Sequence, residues 1–408
     1  MLNCLAIRLV RYANHEIIRF APRLGVDGDQ EMGEYMKRIS ALLLLLTAFV
    51  SIAYAAFSRP IFYESVPFVG GIGGYTHYRI PAIAYTENGV LLAFANGMRD
   101  WHDGGDIDLL LKRSFDLGRT WEPTQLIKDA GADSFTGSCV VVDRNTNRVF
   151  LLAILFPGDR CKSIKYNLSN WPLDEWPKVY LLTSDNDGLT WSEPRDITSI
   201  ARPPNTTWWC FAQMTGIQLR NGRLIIPVCW MTYPDKHYIT GVLYSDDSGE
   251  TWQRGGSFDD LTNEAAIVEL PDGKILMNLR SFDSHAPYRK ATSSTDGGLS
   301  WEPVTTTNIP DPFCQGALTE SAGTVYLSNI YNSKERRNLV IHASQDDGES
   351  WTKHRTLYRG PAAYSALINF ENGDLGCFYE AGWGTGIGAP YGSIRFSRFN
   401  KSWVFAGK

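Results

Sequence analysis

An eight-residue pattern, Ser-x-Asp-x-Gly-x-Thr/Ser-Trp, occurs five times in this chain of 408 residues. It occupies 114–121, 184–191 (with Asn186 in the Asp place), 245–252, 294–301 and 344–351. A degenerate sixth copy runs from Ser397 to Trp403. Successive Trp residues stand 70, 61, 49, 50 and 52 positions apart. Self-similarity near 50 residues restricts the chain to repeated units, as in a solenoid or a propeller. The pattern is a turn: the Asp or Asn side chain accepts backbone N–H groups, the Gly allows a positive φ, and the Trp packs beneath.

A second signal keeps step with the first. Asn88-Gly89, Asn221-Gly222, Asp272-Gly273 and Asn372-Gly373 each join two apolar runs, as tight hairpin turns do, with looser versions at Asn145 and Ala322-Gly323. Runs leading into the Asp-type turns, such as Ile107–Leu111, Val179–Leu182 and Asn338–Ala343, read as strands. The 37 Gly and 51 aromatic residues (13 Trp, 19 Tyr, 19 Phe) suit short strands and many turns. Six hairpins and six Asp-type turns predict an all-β chain, a six-bladed β-propeller with four antiparallel strands per blade. The widest gap between hairpins, over Cys161–Pro177, reads as an inserted loop.

Ahead of the repeats, Lys37 and Arg38 precede an apolar run over 39–56 that ends in Ala53-Tyr54-Ala55. A basic segment, an apolar segment and a small-x-small site make a signal peptide, with cleavage at Ala55-Ala56. Residues 1–55 are therefore expected to be removed, with 1–35 an upstream extension before Met36. Residues 56–408 then form a single domain, secreted or periplasmic, with no stable membrane insertion. An uncleaved anchor is the competing reading, though the run is short for a span of about 20 residues. Six cysteines remain after cleavage: Cys139, Cys161, Cys210, Cys229, Cys314 and Cys377. An exported chain with an even count permits disulfides, and buried thiols are equally compatible. No cysteine pair has zinc-ligand spacing, so no metal is expected. The net charge of −5, without a basic run, argues against a nucleic-acid partner.

Five further segments carry a resemblance. Tyr78-Arg79-Ile80-Pro81 stands just before the first hairpin, and Arg99-Asp100-Trp101-His102-Asp103 just before the strand that enters the first Asp-type turn. Asn263-Glu264-Ala265-Ala266 is followed by a hairpin and Asn278-Leu279-Arg280. Glu335-Arg336-Arg337-Asn338 and Ala363-Tyr364-Ser365-Ala366-Leu367 follow, with Tyr379-Glu380 beyond. On these segments the chain resembles the exo-sialidase family of glycoside hydrolases over essentially its whole length after the leader. The resemblance implies that Arg79, Arg280 and Arg336 hold the substrate carboxylate, with Arg337 the alternative to Arg336. It implies that Tyr364 is the nucleophile, Glu264 its partner, and Asp103 the acid/base, with Asp100 the alternative. Arg99 would contact substrate hydroxyls or form a surface ion pair, and Glu380 would orient Arg79. Asp106, Asp108 and Glu269 read as structural. Ala366 stands where the family has Asp.

Sialic acid carries a carboxylate on its anomeric carbon, which suits permanently charged guanidiniums. A carboxylate nucleophile would approach an anionic centre, whereas a phenol is neutral until a base takes its proton. The resemblance thus implies a retaining exo-α-sialidase acting on sialylated glycoconjugates, without cofactor, as a monomer. Kept beside it are a related 2-keto-3-deoxy sugar acid as substrate, transfer instead of hydrolysis, and a non-catalytic glycan-binding propeller. Trp208, Trp209, Phe211 and Met214 are candidates for an N-acetyl pocket or for packing between blades. Asn167 and Asn205 fit the glycosylation pattern.

Overall fold

The computed structural model describes residues 59–100, 105–157, 177–212, 214–232, 234–283, 285–384, 386 and 388–406. The expected leader, Asp103, Cys161, Asn167 and the insertion over 161–176 lie outside the described residues. Pro60–Lys408 form one compact unit built almost wholly of strands.

The first strand, β1 (Phe62–Val69), is followed by antiparallel sets in chain order. The first set is β2 (His77–Tyr85), β3 (Leu91–Met98), β4 (Ile107–Ser114) and β5 (Gln125–Lys128). The second is β6 (Ser134–Val142), β7 (Val149–Phe156), β8 (Lys178–Ser184) and β9 (Arg195–Asp196). In the third, the inner strand is split into β10 (Thr206–Phe211) and β11 (Ile217–Gln218). Both pieces pair with β12 (Leu224–Thr232), and β13 (Tyr238–Ser245) and β14 (Gln253–Asp259) follow. The fourth is β15 (Thr262–Glu269), β16 (Ile275–Ser281), β17 (Tyr288–Ser294) and β18 (Thr305–Pro310). The fifth is β19 (Ala317–Ser321), β20 (Thr324–Ile330), β21 (Arg337–Ser344) and the first half of β22 (Lys353–Asn369). The second half of β22 opens the sixth, with β23 (Leu375–Ala381) and β24 (Ser393–Phe399). β1 completes it, Phe62 lying opposite Phe399.

Each expected hairpin joins the first and second strands of a set. The second strands β3, β20 and β23 are buried along their whole length, whereas the outer strands β5, β9 and β14 are largely open. That explains the runs without alternation: a strand covered on both faces has no polar side to display.

The Asp-type turns are wired as their residues dictate. Ser114 Oγ donates to Asp116 Oδ1 at 2.8 Å and accepts the Gly118 N–H at 2.8 Å, while Asp116 accepts the Thr120 N–H at 2.9 Å and its hydroxyl at 2.6 Å. Besides Gly118, with φ +85°, the preceding Leu117 also has a positive φ of +59°. A turn with two successive left-handed residues brings its glycine close to the neighbouring set, where a Cβ at Gly118 would enter the Phe396 ring. The Trp residues pack backwards: Trp191 meets Phe94, Trp252 meets Phe150, and Trp121 of the first set meets Phe396 of the sixth.

One expectation is corrected. The sixth copy is not an Asp-type turn leading to a strand. After β24 the chain forms a short helix, Lys401–Phe405, with Asn400 accepting the Trp403 N–H at 2.9 Å as its cap. Without the Gly of the motif the chain does not make the left-handed pair, and the Asn takes its other common role as a helix N-cap. The sixth set's outer strand comes from β1 instead.

Five inner strands carry a register shift near their first residues: Arg79–Ala82, Thr136–Cys139, Thr206–Trp208, Thr262–Ala265 and Ala362–Ser365. A β-bulge re-aims the side chains around it. Three of these bulges hold Arg79, Glu264 and Tyr364.

Candidate active site

Five strands and one loop bring six of the singled-out residues together. Arg79 comes from β2, Glu264 from β15, Arg280 from β16, Tyr364 from β22, Glu380 from β23 and Arg336 from the turn before β21. Glu264 and Arg280 meet because their strands are antiparallel neighbours, joined by the Asp272-Gly273 hairpin.

Tyr364 Oη donates to Glu264 Oε1. Arg280 Nη1 donates to Glu264 Oε2 at 2.6 Å and lies 3.4 Å from Tyr364 Oη. The Arg79 and Arg336 guanidinium carbons lie 5.6 and 5.5 Å from the Tyr364 ring centre. Burial first, then the facing Glu264 carboxylate, push the Tyr364 phenol well above its usual 10.0, while Arg280, Arg336 and Arg79 pull the other way. The phenol is therefore neutral at rest, hydrogen-bonded to the group that can take its proton.

Glu380 is fully buried and serves three donors. Its Oε1 accepts Arg79 Nε at 3.3 Å and the Ile80 N–H at 2.9 Å, and its Oε2 accepts the Tyr364 N–H at 3.1 Å. Ile80 has φ +57°, a costly conformation for a β-branched residue that persists only where its surroundings over-determine it. One carboxylate thus fixes the bulge of β2 and the backbone of the tyrosine.

Arg336 bonds to neutral oxygens: Nη1 donates to Tyr391 Oη at 2.9 Å and Nη2 to the Phe313 carbonyl at 2.8 Å. Arg337 instead pairs with Glu335 at 3.5 Å and is half exposed. The three guanidiniums of the cluster face two carboxylates, Glu264 and Glu380, so its formal charge is positive. Burial opposes the charges on Arg280 and Arg336, but Glu264 and Tyr364 beside Arg280, and Cys314, Tyr364 and Tyr391 beside Arg336, more than offset it and hold both pKa values above the ordinary guanidinium range.

Arg99 stands apart from this cluster. It bridges Asp106 at 2.9 Å and Asp108 at 2.7 Å and lies over the Tyr75 ring. Asp106 and Asp108 are thereby occupied, Asp108 also by the Tyr75 hydroxyl at 2.6 Å. Asp100 lies with its carboxylate against Gly105. Glu269 accepts the Arg220 N–H at the far end of β15. Trp209, Phe211 and Met214 are all buried in one core cluster with Phe135, Phe150 and Trp252, which is the packing reading of these residues. Ala366 is buried in the seam between the first and sixth sets.

Sequence reasoning missed several residues. Tyr391 closes the cluster from the segment after β23, with its ring 4.1 Å from the Arg79 guanidinium carbon and its hydroxyl on Arg336. Gln315, fully buried, accepts the Ser365 N–H at 3.0 Å. The buried Arg289 donates to Asn278, to Asp311 at 3.2 Å and to the Cys314 carbonyl at 2.9 Å, bracing the turn whose Phe313 carbonyl anchors Arg336. None of these lies in an Asp-type turn or at a hairpin tip; the glycines around Tyr391 are the one sequence signal beside them.

The BNR repeat-like domain profile matches residues 89–377. The chain is 32% identical over 374 residues to the sialidase of Micromonospora viridifaciens, a match covering 85% of this chain and 55% of that protein. It is 29% identical to the exo-alpha-sialidase of Aspergillus fumigatus, over 82% of this chain and 86% of that one. Among solved structures, the Hadza microbial sialidase Hz136 superposes with a TM-score of 0.75 at 24% identity, over 84% of this chain and 69% of that one. The intramolecular trans-sialidase of Ruminococcus gnavus gives 0.69 at 18% identity, over 84% and 98%. At those identities the structural likeness speaks to the fold. The repeat-like match spans most of the chain, and the sialidase of Paraclostridium sordellii is 30% identical over 75% of this chain and 81% of that protein; with the Asp-type turns and the arginine–tyrosine–glutamate cluster, the chain belongs to the exo-α-sialidase family of glycoside hydrolases.

Proposed function

We propose that this protein is a retaining exo-α-sialidase that releases terminal sialic acid from glycoconjugates through a tyrosyl intermediate. The observation that carries the reading is the Tyr364 hydroxyl on the Glu264 carboxylate, beneath three guanidiniums. A substrate carboxylate would lie on Arg79, Arg280 and Arg336, where the excess positive charge is. Tyr364 Oη would attack the anomeric carbon as its proton passes to Glu264. Asp103 would protonate the leaving oxygen, then take a proton from the water that breaks the tyrosyl bond; Glu264 returns its proton to the phenol. Two displacements retain configuration. Arg99 would serve substrate hydroxyls through its outer face.

The scaffold in this reading is a closed six-bladed propeller. Its support is that one cavity of about 370 Å³ is lined by the inner strands of all six sets, from Ala84, Val141, Ile217, Val268, Leu318 and Ile368. That cavity lies at the end of those strands away from Arg79, Glu264 and Tyr364. Secretion or periplasmic export and a monomeric state complete the proposal. Sequencing the N-terminus of the exported protein tests the first part; Ala56 is the expected start, and a retained Met36 would refute cleavage.

The decisive assay is release of a fluorophore from an α-sialoside by the purified chain. Tyr364→Phe should lower kcat by a thousandfold or more, roughly the scale of nucleophile removal in other covalent hydrolases. Full activity in that variant sinks the mechanism. Turnover of other ulosonic acids but not sialosides sinks the substrate, and product appearing on an added sugar acceptor instead of in water marks transfer.

A further inference from the structure

Cys210 of β10 and Cys229 of β12 are direct partners across an antiparallel ladder, and their sulfurs lie 3.0 Å apart. Opposed residues in such a ladder have Cα atoms about 4.5 or 5.5 Å apart, and both spacings fall within the range a disulfide spans. The sulfurs need move only about an ångström, by side-chain rotation, to reach bonding distance. The other described cysteines, Cys139, Cys314 and Cys377, are buried in other parts of the core. Ala265 and Leu279, the neighbours of Glu264 and Arg280 in sequence, belong to the apolar cluster that holds Cys229 and against which Cys210 packs.

We infer that Cys210 and Cys229 form a reversible cross-strand disulfide, a covalent staple directly behind the strands that carry Glu264 and Arg280. In the forming step a small disulfide such as oxidised glutathione accepts two electrons and the two thiol protons and leaves as two thiols. The two S–H bonds are lost and one S–S bond is gained. Burial pushes the Cys210 thiol well above its usual value, and the adjacent Cys229 sulfur adds to the shift. The reactive thiolate is therefore scarce once the strands have packed, and the bond forms most readily while β10 and β12 are pairing. It closes a short loop around the Asn221-Gly222 hairpin, so its main effect is to restrict the unfolded chain.

The test uses the full chain, prepared reduced and refolded with oxidised glutathione, alkylated, and digested without reduction. The expected result is one linked pair of peptides carrying Cys210 and Cys229, with a thermal midpoint raised by about 4 °C that reductant reverses. Recovery of both residues as alkylated thiols, or bound only to glutathione or to other cysteines, overturns the inference. In Cys210→Ser and, separately, Cys229→Ala, the midpoint should no longer respond to the oxidant; a response that survives in either one overturns the assignment. If neither variant folds, the peptide map decides alone.

Discussion

Glu380→Gln changes one atom in the buried centre of the site and leaves no cavity. The carboxylate accepts from two directions: Ile80 N–H and Arg79 Nε on one oxygen, Tyr364 N–H on the other. An amide has one accepting oxygen and one donating nitrogen. Whichever way it turns, its NH₂ faces a backbone donor, and Arg79 loses its buried counter-charge. A buried donor left unsatisfied costs about 1–3 kcal/mol, and loss of the charged partner adds to it, so roughly 3 kcal/mol in all is expected. Over a folded unit of this size that moves the thermal midpoint down by roughly 4 °C. Both Arg79 and the Tyr364 backbone lose their anchor, so kcat/KM on a sialoside should fall by about ten- to a hundredfold. Calorimetry and steady-state kinetics on the same preparation read both effects. A variant within about 0.5 kcal/mol of wild type, the scatter of neutral substitutions, and with unchanged kcat/KM would refute the three-donor account.

Two further outcomes follow from other parts of the structure. Arg336→Ala should reduce kcat/KM by about a hundredfold or more, in line with the loss of a charge-assisted contact, whereas the half-exposed Arg337→Ala should change it less than about twofold; equal effects in kinetics would contradict the division between them. Ser350 and Ser344 hold the Asp346 carboxyl at about 2, below its ordinary 3.8, so its stabilising share is present above the unfolded value and lost as pH falls through about 2. Ser350→Ala should therefore be less stable than wild type at neutral pH, with the gap closing below about pH 4 in urea titrations; a gap independent of pH would rule the turn out as its source.

What could be read from the sequence follows its range. Hairpins and Asp-type turns are local, so the strands around Asn88-Gly89 or Asp272-Gly273 were legible from adjacent residues. The pairing of β1 with β24 spans nearly the whole chain, and no local pattern announces it. β22 runs through Gly360-Pro361 as one 17-residue strand shared by two sets, although that dipeptide reads as a break. In the site, the residues with a motif around them were found, and those that act from beneath were not. Gln315, Arg289 and Tyr391 matter because of what folding places beside them.

The return of β1 to β24 also sets an order in time. Translation delivers β1 first, yet its partner is the last strand made, and until β24 is available the edge of β1 has no mate. Glu380 likewise sits in the final tenth of the chain, while Arg79, which it holds, emerges early. The early sets can pack as they appear, but the site comes into being only when the two ends meet. A nascent chain thus lacks the assembled cluster until β24 has been made, and loss of that strand would leave β1 unpaired even with every inner arginine intact.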